Sequence, residues 1–501
     1  MPLRDQVQLI AYADRLAGDL PGLARLLRSP ELAGVFGGVH VLPFFTPFDG
    51  ADAGFDPVDH TQVDPRLGTW DDVRDLARTH DVVVDLIVNH VSADSPAFRD
   101  VRERGDASPH ASMFLTMSSV FPGGATEADL TRVYRPRPGL PFTPVRLGDR
   151  LRYVWTTFTP QQVDIDVHAD AGRAYLSSIL DAVAGAGVRL VRLDAVGYAV
   201  KTPGTTCFMT PETFAFIEEF TAQARERGVD VLVEVHAYHE RQVQIGRSVD
   251  LVYDFALPPL VLHALFTGDG SALVRWLGMR PANAVTVLDT HDGIGVIDVG
   301  RDQTVEPGEP ERPGLLTPAQ VDELVEGIHA RTGGASARAT GAAASNLDLY
   351  QVNSTFYDAL GRDDRRYLAA RAVQLFTPGI PQVYYVGALA GGNDVDLLER
   401  TGVGRDVNRH RYTPDEVAAA LARPVVRALL ALCRFRNTHP AFGGGVEVAL
   451  DGSWLSLTRR AGAAVASLDV DLATGAAHVT WTGADGAAGT CDDLLALPDA
   501  W

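Results

Sequence analysis

Eight short, almost wholly apolar runs recur between residues 7 and 386: 7–11, 38–42, 82–88, 188–193, 231–235, 252–255, 284–288 and 381–386. A strand that is apolar along its whole length is buried on both faces, which is the condition of a parallel sheet covered by helices. Amphipathic helical patterns lie between most of the runs, for example at 70–79, 171–184, 213–227 and 366–376. Eight strand-then-helix units predict an α/β fold, a closed (β/α)8 TIM barrel.

Two intervals break the alternation. Residues 89–168, rich in Pro and Gly and without a regular period, are too long for a plain loop and predict an inserted domain after strand 3. Residues 294–361 predict a second insertion after strand 7. The barrel is then expected in three pieces, 1–88, 169–293 and 362–441. From 442 to 501 the pattern turns to short alternating runs, which predict a β-sandwich-like tail domain.

Charge narrows the function. The 501 residues hold 44 basic and 64 acidic side chains, a formal net charge of −20. Such a field opposes nucleic acid and anionic membranes, so neither is an expected partner. Lys201 is the only lysine, and Val200 before it excludes a phosphate-binding Gly-Lys-Thr loop. A dinucleotide site is disfavoured as well, because the Gly-rich run Gly293-Ile294-Gly295 lacks a third glycine and follows strand 7 of a barrel. No stretch has the length and apolarity of a membrane span. Three cysteines, an odd number without metal-ligand spacing, predict a cytoplasmic protein.

Barrel enzymes carry their chemistry at the C-terminal ends of the strands. Here those ends read Asn89-His90, Arg192-Leu193-Asp194, Glu234-Val235-His236 and His291-Asp292. Arg192 and Asp194 are two apart on a strand and share one face. One such Asp is more often a helix cap or an ion-pair partner, and a lone His90 a core histidine. Three carboxylates, histidines and an arginine converging on one mouth instead suit an enzyme acting on sugars, where two carboxylates flank the scissile bond.

At these residues the chain resembles the α-amylase superfamily, glycoside hydrolase family 13. Asp85-Leu86-Ile87-Val88-Asn89-His90 is similar to its first motif, and residues 187–196, 231–236 and 287–292 to the next three. Gln162-Val163-Asp164-Ile165-Asp166 resembles the motif closing its inserted domain. The likeness extends to one branch, the sucrose phosphorylases, through residues 49–55, 134–142, 195–198, 346–353 and 404–406. Carried over by position, the resemblance implies Asp194 as nucleophile, Glu234 as general acid/base and Asp292 as transition-state stabiliser. It implies a glucosyl subsite of Asp52, Phe55, His90, Phe158, Gln162, Arg192, His291 and Arg405. It implies an acceptor subsite of Tyr134, Arg137, Tyr198, Val235, His236, Leu347, Asp348, Leu349, Tyr350 and Gln351.

The same resemblance implies transfer of a glucosyl group from sucrose to phosphate, giving glucose 1-phosphate and fructose, with retention, no cofactor, no metal and a homodimeric assembly. No Asp/Asn/Glu loop of calcium spacing is present, in agreement. Phosphate is repelled by three carboxylates and needs donors, for which Arg137, His236 and Tyr350 are suited. Arginines in a solvated loop are the plainer reading of Arg135 and Arg137 taken alone. Related phosphorylases acting on sucrose 6-phosphate, glucosylglycerol or glucosylglycerate, and a sucrose hydrolase or transglucosidase, stay open as alternatives, although 347–353 holds no basic residue for a phosphosugar. A non-catalytic barrel is disfavoured by the presence of all three carboxylates.

Overall fold

The computed structural model describes residues 3–50, 52–135, 137–303, 310–343 and 350–500. Eight parallel strands close into a barrel in chain order: β1 (Gln8–Ala11), β2 (Gly38–Val41), β3 (Asp81–Ile87), β4 (Leu190–Asp194), β5 (Asp230–Val233), β6 (Leu251–Asp254), β7 (Ala284–Thr286) and β8 (Ile380–Tyr384). β8 returns to β1 with Gln382 opposite Gln8. Every expected run lies on its strand, and all seven residues of β3 are buried. Helices Trp70–Ala77, Asp170–Gly185, Pro211–Glu226 and Asp364–Phe376 stand where the 3.6-residue pattern put them.

The middle of the barrel is not wholly apolar. A buried polar chain crosses it from strand to strand. Gln382 Nε2 donates to Gln8 Oε1 at 2.8 Å, and Tyr253 Oη donates to Gln382 Oε1 at 2.8 Å. Tyr253 Oη lies 3.4 Å from His40 Nδ1, and His40 Nε2 lies 3.1 Å from Asp85 Oδ2. Asp85 then takes Arg192 Nη1 at 2.6 Å, its register partner on β4. Buried polar groups must be paired in this way to avoid their desolvation cost.

Between β3 and β4 lie helix Pro96–Arg104, an antiparallel hairpin (Phe142–Leu147 with Arg150–Trp155), and a short ladder of His90–Ser92 with Gln162–Asp164. Between β7 and β8 lie the ladder Ile294–Gly295 with Gln351–Val352 and helices Pro318–Arg331 and Ala335–Ala343. The tail is one antiparallel sheet of β9 (Gly445–Asp451), β10 (Trp454–Ala461), β11 (Ala464–Asp471), β12 (Ala477–Thr482) and β13 (Ala488–Cys491). Residues of β11 alternate buried and half-buried. The second layer expected of a sandwich is here helical. Phe376 and Phe435 close on Phe442 at 5.0 and 5.6 Å between ring centroids, and Phe435 meets Trp481 of β12 at 5.6 Å. A period of two reports one buried face and not what covers it.

The C-terminal side of β7 is braced by a fully buried ion pair. Arg371, on helix Asp364–Phe376, reaches Asp289 Oδ2 with Nη2 at 2.5 Å, and gives Nη1 to Gln374 Oε1 at 3.0 Å. Gly387 is bare of necessity, since a Cβ there would run into Asp289 Oδ2 and Arg371 Nη2. Removing one member of a buried pair strands the other charge, at a cost of about 3–5 kcal/mol. Arg371→Met is therefore expected to lower the urea midpoint by that amount of stability; an unchanged midpoint would show that Asp289 finds another partner.

Candidate active site

Asp194 is the last residue of β4, and Glu234 follows β5 by one residue. Arg192 lies beneath both. Its Nη1 is 2.6 Å from Asp85 Oδ1 and 2.8 Å from Asp194 Oδ1, and its Nη2 is 3.7 Å from Glu234 Oε1. Ala195 adopts φ +54°, a left-handed conformation that costs a non-glycine residue about 1–3 kcal/mol. The turn aims its N–H at Glu234 Oε2, 3.2 Å away. Burial is the largest influence on Asp194, and with Glu234, Asp85 and Asp292 it raises the carboxyl to about 8 against the pull of Arg192.

His291 and Asp292 lie in the loop after β7 rather than on the strand itself, which stops at Thr286. Asp292 Oδ1 is 2.8 Å from Arg405 Nη1 and 4.0 Å from Arg409 Nη2. Burial opposes its charge, yet Arg405, His291 and Arg409 hold Asp292 well below the usual carboxylate range. Arg405 also approaches Asp52 Oδ1 at 3.8 Å. His291 stacks on Phe55 at 4.7 Å with rings 7° from parallel, and burial lowers it to about 3, so the ring is neutral. His90 Nε2 donates to Phe55 O at 2.9 Å, and the Gln162 amide lies 3.1 Å from the same nitrogen. The His90–Ser92 ladder creates that contact. Phe158 closes on His90 edge-on at 5.5 Å.

The opposite wall carries Tyr198, Val235, His236, Tyr350, Gln351 and Arg137. Arg137 is half-buried, and its guanidinium is held below its ordinary value by burial and by Arg405. His236 Nδ1 lies 2.9 Å from Asp298 Oδ2, and Nε2 lies 3.8 Å from Glu234 Oε1. Burial works against the imidazolium, but Asp298, Glu234 and Asp292 outweigh it and raise His236. Tyr134 stands behind this wall, stacked on Tyr198 at 6.4 Å. Leu347, Asp348 and Leu349 lie outside the described residues.

These walls enclose a cavity of about 530 Å³. Sixteen of the expected site residues line it; Arg192 lies under its floor, and Tyr134 one layer out. Thr159, Phe208, Thr340 and Val403 line it without having been expected, as they carry no charge or motif that marks them. Asp298 and Arg409 were also missed, because each acts through a partner distant in sequence. Among the described residues, Glu234, His236 and Asp292 bring donor atoms within 4.8 Å of one another and could close on a cation. Arg192 and Arg405 already supply positive charge to these carboxylates.

Residues 11–255 match the α-amylase catalytic domain family. A sucrose phosphorylase of Agrobacterium vitis is 57% identical over 96% of this chain and 98% of its own length. The chain belongs to the α-amylase family. A sucrose phosphorylase of Bifidobacterium adolescentis is 54% identical over 99% of both chains. The crystal structure of sucrose 6F-phosphate phosphorylase from Thermoanaerobacter thermosaccharolyticum superposes with a TM-score of 0.88 at 35% identity, covering 98% of each chain.

In this member of the α-amylase family the inserted segment is tied to the barrel mouth by the single lysine. Lys201 Nζ reaches Asp164 Oδ2 and Asn89 Oδ1, each at 2.7 Å, and donates to Tyr198 O. One ammonium thus links the end of β3, the last ladder of the insertion and the wall that holds Tyr198. Asp164 is fully buried and also accepts Thr157 N at 2.9 Å. Lys201→Met leaves that carboxylate without its cation, a loss of about 3 kcal/mol or more. The expected readout is faster proteolytic nicking within residues 89–168; wild-type resistance would mean the insertion is held by other contacts.

Proposed function

We propose that this chain is a sucrose phosphorylase, transferring the glucosyl group of sucrose to phosphate to give α-D-glucose 1-phosphate and D-fructose by a retaining double displacement. The observation that carries this is one guanidinium, Arg192, shared by two carboxylates beneath a cavity whose far wall holds Arg137 and a charge-prone His236. Asp194 attacks the anomeric carbon while Glu234 protonates the departing fructose oxygen. Phosphate then attacks the Asp194 ester and gives its proton to Glu234, so the second inversion restores the α-configuration. The pair needs one proton between its two carboxyls. The raised carboxyl of Asp194 supports that sharing, and Arg192, closer to Asp194 than to Glu234, stabilises the negative charge on the nucleophile. Asp292, kept ionised beside Arg405, suits the positive charge that develops on the sugar ring.

The named relatives at 57% and 54% identity support the choice of sucrose and phosphate. So does the cavity's composition. Phosphate must enter past three carboxylates, and Arg137, which forms no ion pair with an acid among the described residues, is a fork donor suited to it. Three free, buried cysteines fit a reducing cytoplasm. The exposed apolar side chains Leu140, Leu151 and Tyr153 of the insertion fit a homodimer that covers them. Sedimentation should give twice the chain mass, and a monomer at micromolar concentration would remove that part of the reading.

Incubation with sucrose should release α-glucose 1-phosphate only when phosphate is present. Asp194→Ala should abolish transfer to every acceptor, whereas Glu234→Gln should spare an activated donor such as glucosyl fluoride. Arg137→Ala removes a charge-assisted contact of about 1.5–3 kcal/mol, roughly 10–150-fold in use of phosphate. Its product should shift from glucose 1-phosphate toward free glucose over a phosphate titration. Parental phosphate dependence in that variant would place the anion elsewhere.

A further inference from the structure

We propose that Asp298 is the positioning residue for phosphate use: it fixes the His236 ring so that Nε2 faces the acceptor cavity as a donor. The inference deepens the reading above and rests on it. Asp298 is fully buried and does not line the cavity. Its Oδ2 takes His236 Nδ1 at 2.9 Å, and its Oδ1 accepts Ala237 N at 3.1 Å and Gln242 Nε2 at 2.9 Å. The carboxylate is therefore anchored by two donors that do not titrate, and its remaining oxygen is given to the histidine.

The ring has no freedom to choose another partner. It stacks on Phe255 at 3.9 Å with planes 17° apart. Gly295 lies against the pair, where a Cβ would meet Asp298 Oδ2 and come within 3.0 Å of His236 Nδ1. A carboxylate accepting from one imidazole nitrogen fixes a proton there and by its charge favours the imidazolium, in which the other nitrogen is a donor as well. Around His236 stand Asp298, Glu234 and Asp292 as charged groups, the Gln351 amide 3.3 Å from Nε2, and Tyr350 edge-on at 5.5 Å. Burial alone would drive the ring neutral; these carboxylates together raise it. Glu234 and Asp292 serve the sugar, while the hydrogen bonds of Asp298 among the described residues go to the histidine, the backbone after it and Gln242. With Asn at 298, the amide oxygen would still accept Nδ1–H, so the neutral ring would turn a lone pair, not a proton, toward phosphate.

The sign follows from the raised group. A histidine held above its ordinary value keeps its proton to higher pH, so removing the Asp298 charge makes the phosphate-binding form disappear at lower pH. Asp298→Asn should raise the KM for phosphate about tenfold or more at pH 7.5, the loss of a charge-assisted donor. The defect should shrink as pH falls and the ring gains its proton in both proteins; phosphate's own titration is common to both and cancels in the ratio. kcat/KM for sucrose hydrolysis without phosphate should change much less. In a His236→Gln background Asp298→Asn should add no further loss. An unchanged phosphate KM, a pH-independent defect, or equal losses in hydrolysis and phosphorolysis would each overturn the inference. Should Asp298→Asn not fold, the unaltered protein decides: the log of its phosphate KM against pH should carry a limb above pH 6.5 beyond phosphate's own, and its absence counts against Asp298. If phosphate does not accelerate sucrose cleavage by the unaltered protein, it is the sucrose phosphorylase reading that fails.

Discussion

Arg192 is the charge on which the mouth of this barrel depends. Three carboxylates, Asp85, Asp194 and Glu234, surround it within 3.7 Å, and its side chain is almost wholly out of water. Two like charges 4 Å apart repel by about 4 kcal/mol at the effective dielectric of a protein. Without the guanidinium more than one of these acids would hold a proton, and the asymmetry between Asp194 and Glu234 would vanish. Its own position is set from below, where Asp85 is the last link of a hydrogen-bonded chain that runs through His40, Tyr253 and Gln382 to Gln8. The barrel interior is thus less a filler than a keel for one side chain.

A second arginine pair repeats the principle on the far side of the cavity. Arg405 and Arg409 face Asp292 and Asp52, and Arg409 is itself fixed by its Nε donating to His291 O at 3.0 Å. The cavity between the two centres is walled by neutral rings and amides, Phe55, His90, Gln162 and His291, which add no charge to it. The opposite wall is the reverse, with donors and a histidine biased toward its cationic form. That asymmetry is what a site needs if a neutral disaccharide enters and an anion follows.

The sequence shows the barrel plainly because strands buried on both faces must be apolar throughout, and β3 is buried along its entire length. It shows Arg192 and Asp194 together because side chains two apart share a face of a strand. Other parts depend on pairings across long stretches of chain, which periodicity does not record. Asp298 meets His236 from 62 residues away, and Lys201 meets Asn89 from 112. The reach of His291-Asp292 beyond β7 was hidden for a related reason: the apolar run continues past Thr286, although the ladder stops there. Ala195 carries no chemical mark at all, and only its backbone angle reveals its contact with Glu234.

The single lysine has a consequence for the outside of the molecule. Its side chain is 1% exposed and committed to Asp164 and Asn89, so among the described residues no ε-amine faces solvent. Acylating reagents, amine cross-linkers and aldehyde supports find no side chain to seize, and so does any enzyme that tags lysines. Arginine supplies the positive charge of the surface instead, and a lysine introduced at an exposed position would be the one accessible lysine side chain among the described residues.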